Sequence, residues 1–145
     1  MISWKVCWLW NDISWKIRIG DDLLAIKEKP SILVVDDDEA VCDTMADILN
    51  EMNYDVNTAT DGYKALELVK AHDYTLTLMD MRMPGLDGLE TLKRMRLVKP
   101  SMKVVIITAY AQDETMNALK KEGVEAILSK PVKFTTLFEY LPLNS

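Results

Sequence analysis

The sequence is poor in the residues that build disulfide frameworks, zinc sites and hydrolytic triads, with two cysteines and one histidine among 145 residues. Cys7 and Cys42 do not have the spacing of metal ligands. His72 lies in a polar turn, where we expect a solvated loop residue. No apolar run approaches the roughly 18–20 residues that a membrane-spanning helix needs. We therefore expect no membrane span, and the absence of a disulfide framework fits the reducing cytoplasm.

Positively charged residues are fewer than acidic ones, since 17 lysines and arginines are set against 23 aspartates and glutamates, which gives a net charge of −6. The chain has no basic stripe, so we do not expect it to bind nucleic acid directly. The short basic cluster at 93–99 is interpreted as a solvated helix face. The length suits one domain, which we assign to residues 30–145, with an N-terminal extension and linker at 1–29.

The extension differs from the rest of the chain because it holds all four tryptophans, between positions 4 and 15. Apolar residues alternate on both sides of positions 11–12, which predicts a β-hairpin with one apolar face. Trp4, Trp8, Trp15 and Ile19 also share one helix face, so a helix is the competing interpretation. A third interpretation is upstream sequence that does not fold stably, since a lone hairpin is marginal in water.

From Pro30 onward, five apolar runs alternate with five segments of helical spacing. The predicted strands are 32–35, 54–59, 75–80, 104–108 and 126–130, and the predicted helices are 38–53, 61–71, 88–98, 112–122 and 135–141. The second strand alternates apolar and polar residues and is expected at an edge. Strict alternation of strands and helices implies a parallel α/β sheet that is covered on both faces.

Polar side chains stand where four of these strands end, namely Asp36 and Asp37, Asp80, Thr108 and Lys130. Because the carboxyl ends of parallel strands share one edge of the sheet, these side chains can converge there. Three crowded carboxylates repel one another, and a hard divalent cation such as Mg²⁺ relieves that repulsion. Such a set suits phosphoryl transfer, in which an aspartate can act as the nucleophile. Asp80 is the candidate for the reactive group.

Four short runs carry a specific resemblance: ILVVDD at 32–37, MDMRMPGLDG at 79–88, TA at 108–109 and KP at 130–131. In this order they resemble the receiver domains of two-component response regulators, the CheY-like family. The resemblance covers about residues 29–141. It implies a flavodoxin-like, doubly wound sheet of five parallel strands in the order 2-1-3-4-5.

The resemblance also implies a role for each matching residue. Asp80 would accept a phosphoryl group. Asp37, Asp80 and the backbone carbonyl of Arg82 would ligate Mg²⁺, and Asp36 would contribute to the metal site mainly through metal-bound water. Thr108, Ala109 and Lys130, at the ends of the fourth and fifth strands, would form the part of the site that binds the phosphoryl group. Pro131 would follow a cis peptide bond, and Pro84 and Gly85 would shape the loop after the acceptor.

Two positions depart from the family pattern. The family usually has an aromatic residue or histidine three residues before the lysine, where this chain has Ile127. We therefore expect any switch to use smaller repacking than a swinging aromatic ring. Tyr110, two residues after the threonine, is expected to shield the acyl phosphate from water.

The resemblance implies that the phosphoryl donor is a sensor histidine kinase or a histidine phosphotransfer protein. It also implies an output partner, whose identity it does not give, and it is compatible with a dimer that forms on phosphorylation. We expect a domain that catalyses only its own phosphoryl transfer and dephosphorylation. The alternatives are a fragment of a larger hybrid kinase or transcriptional regulator, and a pseudo-receiver that binds partners without phosphorylation. A phosphatase of the aspartate-nucleophile type is discounted, because Arg82 stands where its second aspartate is needed.

Overall fold

The computed structural model describes residues 29–109 and 113–143. The hairpin and helix interpretations of the N-terminal extension fall on residues 1–28 and lie outside the described residues. The same holds for the shielding role of Tyr110. The boundary between the extension and the domain therefore stays a prediction.

Five strands and five helices alternate along the described chain. The strands are β1 (Ser31–Val35), β2 (Asp55–Ala59), β3 (Leu76–Asp80), β4 (Val104–Thr108) and β5 (Ala126–Ser129). The helices are α1 (Glu39–Glu51), α2 (Gly62–Ala71), α3 (Gly88–Val98), α4 (Asp113–Lys121) and α5 (Phe134–Leu137). All strand pairs are parallel and the order is β2-β1-β3-β4-β5, which confirms the predicted fold.

Burial along the strands follows their place in the sheet. Every residue of β3 and β4 is buried, as expected for strands covered on both faces. The two edge strands are more exposed: β2 alternates between exposed and partly buried residues up to the buried Ala59, and β5 is partly buried up to its exposed last residue. The register pairs Val35 with Met79 and Met79 with Ile106, so these three strands end at one edge.

Three helices have an aspartate as the N-cap residue. In the sequence, each of these aspartates comes just before a segment whose apolar residues recur at helical spacing. The side chains of Asp38, Asp61 and Asp87 each accept a hydrogen bond from a backbone N–H two or three residues further on. Such caps satisfy N–H groups that have no partner inside the helix. Among the described residues, no helix is long and apolar enough to cross a membrane.

Helix α5 is shorter than the predicted 135–141, because it ends at Leu137 and the chain continues in turns. Threonine and aromatic residues are weak helix formers, and Pro142 excludes helical continuation before it. The turn is held by Tyr54, which belongs to the same apolar cluster as Leu137 and whose hydroxyl donates to the Pro142 carbonyl at 2.7 Å. The fifth helix therefore consists of a single turn.

The core consists of two apolar clusters, one on each face of the sheet. One lies under α1 and α5 and includes Leu49, Leu78, Ile107 and Leu137. The other lies under α2, α3 and α4 and includes Leu33, Met79, Ile106, Leu92 and Leu119. Both faces of the central strands are therefore covered, as the alternating pattern predicts.

Helices α2 and α3 approach each other closely at Gly62. A Cβ atom on this glycine would lie 2.2 Å from Thr91 Oγ1 and 3.1 Å from Leu86 Cβ. The Thr91 hydroxyl is fixed, since it donates to the Asp87 carbonyl at 2.7 Å. Gly62 is therefore required by packing, at the first residue of a helix.

We predict that Gly62→Ala lowers the free energy of unfolding by about 1–3 kcal/mol, the usual cost of overpacking. In a Thr91→Ala background the same substitution is expected to cost much less, because the overlapping hydroxyl is gone. Chemical denaturation of the four proteins in this cycle measures the coupling. Equal costs in both backgrounds would show that the two side chains do not compete for space.

Candidate functional site

Asp80 is the last residue of β3 and carries a carboxylate into the edge of the core. Its side chain is almost entirely buried, with 7% exposure. Oδ1 accepts a hydrogen bond from the backbone N–H of Arg82 at 3.3 Å, and Oδ2 accepts one from Lys130 Nζ at 3.1 Å. A buried carboxylate is tolerable when it is paired and hydrogen-bonded in this way.

Asp36 follows β1 and is held in the same manner. Its backbone N–H donates to the Ala59 carbonyl at 3.1 Å, which ties it to the edge of β2. Oδ1 accepts from the backbone N–H of Asp38 at 3.0 Å, and Oδ2 accepts from Lys130 Nζ at 3.0 Å. Behind it, the buried Cys42 thiol donates to the Asp36 carbonyl at 3.3 Å. The site thus contains two buried carboxylates with the same pattern of partners.

Lys130 joins the two carboxylates through one ammonium group. It follows β5, where its backbone N–H donates to the Thr108 carbonyl at 2.9 Å, and the next peptide bond, to Pro131, is cis as predicted. Burial lowers the pKa of Lys130, but the hydrogen bonds to Asp36 and Asp80 and their negative charges outweigh it. The net result is a pKa above the ordinary value of lysine, so the ammonium stays charged at neutral pH.

Asp37 completes the cluster from the solvent side. It is exposed, and one oxygen from each of Asp36, Asp37 and Asp80 lies within 4.8 Å of the others. Loss of hydration raises the pKa of Asp37, as do its side-chain hydrogen bond to Asp36 and the charges of Asp36 and Asp80. Asp37 therefore experiences the repulsion that the sequence predicts for crowded carboxylates.

The charges of this cluster fit a divalent cation. Three carboxylates and the single Lys130 ammonium leave a formal charge of −2. The three grouped side chains offer oxygen only, the donor type that Mg²⁺ prefers over nitrogen or sulfur. The exposure of Asp37 would leave one side open for water, which Mg²⁺ usually retains.

Gly88 is a further site residue, which the sequence marked only as a helix start. A Cβ there would lie 2.7 Å from Met81 Cα and 2.8 Å from the Asp80 carbonyl oxygen. Its N–H donates to the Met81 carbonyl at 3.0 Å, which folds the loop back on the acceptor strand. Gly85 has a φ of +83°, the left-handed region that glycine adopts readily.

The remaining predicted residues lie at the same edge or next to it. Thr108 is buried at the end of β4, and Ala109 follows it at the surface. Ile127 is partly buried on β5 and packs against the α2–α4 cluster. The edge therefore brings together the three aspartates, Lys130 and the Thr108 backbone, whereas contacts of Thr108, Ala109 and the Arg82 carbonyl with a phosphoryl group or metal stay predictions.

The comparison with known families decides the identity of the domain. Residues 32–142 match the response regulator receiver domain. The chain belongs to this family. Sporulation initiation phosphotransferase F of Bacillus subtilis is 33% identical over 118 residues, covering 79% of this chain and 95% of that protein. The transcriptional regulatory protein ZraR of Klebsiella oxytoca is 40% identical over 110 residues, covering 76% of this chain and 25% of ZraR.

Solved receiver domains share the fold. A receiver domain protein from Methanospirillum hungatei superposes with a TM-score of 0.74 and 32% identity, covering 77% of this chain and 89% of that one. The response regulator TrrA of Thermotoga maritima, solved in complex with Mg²⁺ and BeF, gives a TM-score of 0.67 and 31% identity, covering 76% and 94%. The receiver domain thus spans nearly all of some relatives and about a quarter of ZraR.

We predict that Lys130→Met lowers the free energy of unfolding of the receiver domain by about 1–3 kcal/mol in the presence of a chelator. The reason is that Asp36 and Asp80 lose their shared cation while they remain buried. Lys133→Met, the same change three residues later at an exposed position, should stay within about 0.5 kcal/mol of the wild type. Denaturation in urea at neutral pH checks both, and equal effects would mean that the ion pairs contribute nothing.

Proposed function

We propose that this receiver domain accepts a phosphoryl group on Asp80 and passes the signal to a protein partner. The observation that carries the proposal is the position of the Asp80 carboxylate. It lies at the end of β3 within 4.8 Å of two other carboxylates and 3.1 Å from the Lys130 ammonium. Catalysis of phosphoryl transfer consists mostly of positioning and charge stabilisation, which is what such a group of side chains supplies.

The proposed reaction is a displacement at phosphorus by a carboxylate. One Asp80 oxygen bonds the phosphorus atom while the bond between phosphorus and the donor's histidine nitrogen breaks. The products are an aspartyl phosphate on Asp80 and an imidazole on the donor. Hydrogen bonds from Arg82 N–H and Lys130 to the two Asp80 oxygens keep the carboxylate fixed in orientation before the reaction.

Lys130 and Thr108 are proposed to bind the transferred group. The Lys130 ammonium reaches Asp80 Oδ2 at 3.1 Å, so the oxygens of a phosphoryl group on Asp80 would fall within its range. Thr108 ends the neighbouring strand and offers one hydroxyl donor at the same edge. In this proposal both groups stabilise the negative charge that the phosphoryl group adds to the site.

Asp36, Asp37 and Asp80, with the carbonyl of Arg82, are the residues that would hold Mg²⁺. When bound, the ion supplies neutralisation of charge on the phosphoryl oxygens. Two properties of this chain support the assignment, the formal charge of −2 and the all-oxygen donor set. The Mg²⁺–BeF complex of the similar protein TrrA supports it further.

The proposed donor is a sensor histidine kinase or a histidine phosphotransfer protein, and the proposed setting is the cytoplasm. In this account the domain catalyses only its own phosphorylation and dephosphorylation. Similarity to sporulation initiation phosphotransferase F over 95% of that protein supports a relay made of one domain. Similarity to ZraR over 25% of its length supports the second candidate, the receiver part of a larger transcriptional regulator.

We predict that Asp80→Asn abolishes labelling of the protein by a small acyl phosphate in the presence of Mg²⁺, because an amide is too weak a nucleophile to replace the carboxylate. Intact-mass spectrometry measures the addition of one phosphoryl group, and hydroxylamine should remove it, as expected of an acyl phosphate.

Asp47→Asn is the matched control, since Asp47 is an exposed carboxylate on α1. This variant should label at the wild-type rate. Stoichiometric, hydroxylamine-sensitive labelling of Asp80→Asn would move the acceptor to another residue and refute the assignment.

A further inference from the structure

Cys42 lies on the buried face of α1, where its backbone N–H donates to the carbonyl of the capping residue Asp38 at 3.1 Å. Its side chain points to the ends of two strands. The thiol sulfur lies 3.3 Å from the carbonyl oxygen of Asp36, which directly follows β1, and 3.8 Å from that of Ala59, the last residue of β2. The thiol therefore links α1 to the backbone that leads into the acidic site.

The thiol acts as the donor in this link. A carbonyl oxygen can only accept a hydrogen bond, so the S–H group must supply the hydrogen. Burial raises the pKa of the Cys42 thiol, so the group keeps its hydrogen at neutral pH. Since a thiol has a single hydrogen, the shorter distance assigns it to the Asp36 carbonyl.

The Asp36 carbonyl belongs to the peptide group that joins Asp36 to Asp37. A peptide group is planar, so the direction of its C=O bond also sets the direction in which the chain continues to Asp37. The preceding peptide group is held as well, because the Asp36 N–H donates to the Ala59 carbonyl at 3.1 Å. Both peptide groups that flank the Asp36 Cα atom are thus restrained.

Asp37 depends on this restraint more than the other two acids do. Asp36 and Asp80 are buried, and each accepts hydrogen bonds from Lys130 and from a backbone N–H. Asp37 is exposed, and the charges of Asp36 and Asp80 repel its carboxylate. Repulsion favours rotation of this carboxylate away from the cluster and towards water. A fixed backbone at Asp36 opposes that rotation.

We propose that Cys42 is a positioning residue for the metal site, whose thiol fixes the peptide group between Asp36 and Asp37 and so keeps the Asp37 carboxylate beside Asp36 and Asp80. The consequence for metal binding rests on the proposed function, whereas the restraint on the backbone does not. The alternative role is that of a small apolar residue that only fills the core. Loss of a core filler would lower stability without changing the affinity for a metal ion.

Three variants of the full chain separate these roles. Cys42→Ala removes the donor, and Cys42→Ser keeps a donor on a shorter bond. Leu49→Val is the control, because Leu49 is fully buried on the same face of α1 but lies about two turns further along the helix. Circular dichroism establishes that each variant is folded. Cys42→Val, which fills the space without a donor, replaces the alanine variant if that one does not fold.

Calorimetric titration with Mg²⁺ measures the effect on the site. We expect the dissociation constant to rise about two- to tenfold in Cys42→Ala, the range given by loss of one hydrogen bond. The rise should be smaller in Cys42→Ser and absent in Leu49→Val. The proposal is overturned if Cys42→Ala binds Mg²⁺ as the wild type does, or if either of the other variants loses as much affinity as Cys42→Ala.

Hydrogen exchange of the Asp36 amide, followed by NMR without metal, tests the backbone restraint by itself. Relative to the slowest amides of the core, this amide should exchange severalfold faster in Cys42→Ala than in the wild type or in Leu49→Val. Equal relative rates in Cys42→Ala and the wild type overturn the restraint. If the wild type does not bind Mg²⁺, the assignment of the metal site fails, and hydrogen exchange alone decides whether the thiol holds the backbone.

Discussion

The structure depends on one electrostatic arrangement, in which a single ammonium group is shared by two buried carboxylates. Lys130 Nζ lies 3.0 Å from Asp36 and 3.1 Å from Asp80, and both acids are at least 94% buried. Neither carboxylate would be stable at this depth without the cation and the backbone N–H groups that complete their hydrogen bonding. Asp37 adds a third negative charge, which makes the site receptive to a divalent cation.

The fold serves this arrangement by bringing distant parts of the chain to one edge. Because the strands are parallel and paired in this register, β1, β3 and β4 end side by side. The hydrogen bond from the Lys130 N–H to the Thr108 carbonyl places Lys130 next to them. Close packing fixes the loop beyond Asp80, where Gly88 approaches the Asp80 carbonyl more closely than any side chain would permit. Rigid elements thus hold all four charged groups, so little reorganisation is needed when a phosphoryl group arrives.

Most of the fold could be predicted from the sequence, because its local signals agree with one another. The spans of α3 and β4 were predicted to the residue, since a proline, a capping aspartate or an unbroken apolar run marks their ends. The convergence of Asp36, Asp37, Asp80 and Lys130 followed from the parallel topology. The length of α5 and the glycine contacts could not be predicted, because they depend on how close separate elements come, and sequence spacing does not encode those distances.

We propose that these four charged side chains form a metal-dependent site for a phosphoryl group on Asp80. Calorimetric titration of the full chain with Mg²⁺ and beryllofluoride, which mimics a phosphoryl group, tests it most directly. We expect saturable binding of one equivalent that requires both components and is lost in Asp80→Asn. Absence of heat in the wild type, or the same heat in Asp80→Asn, would contradict it.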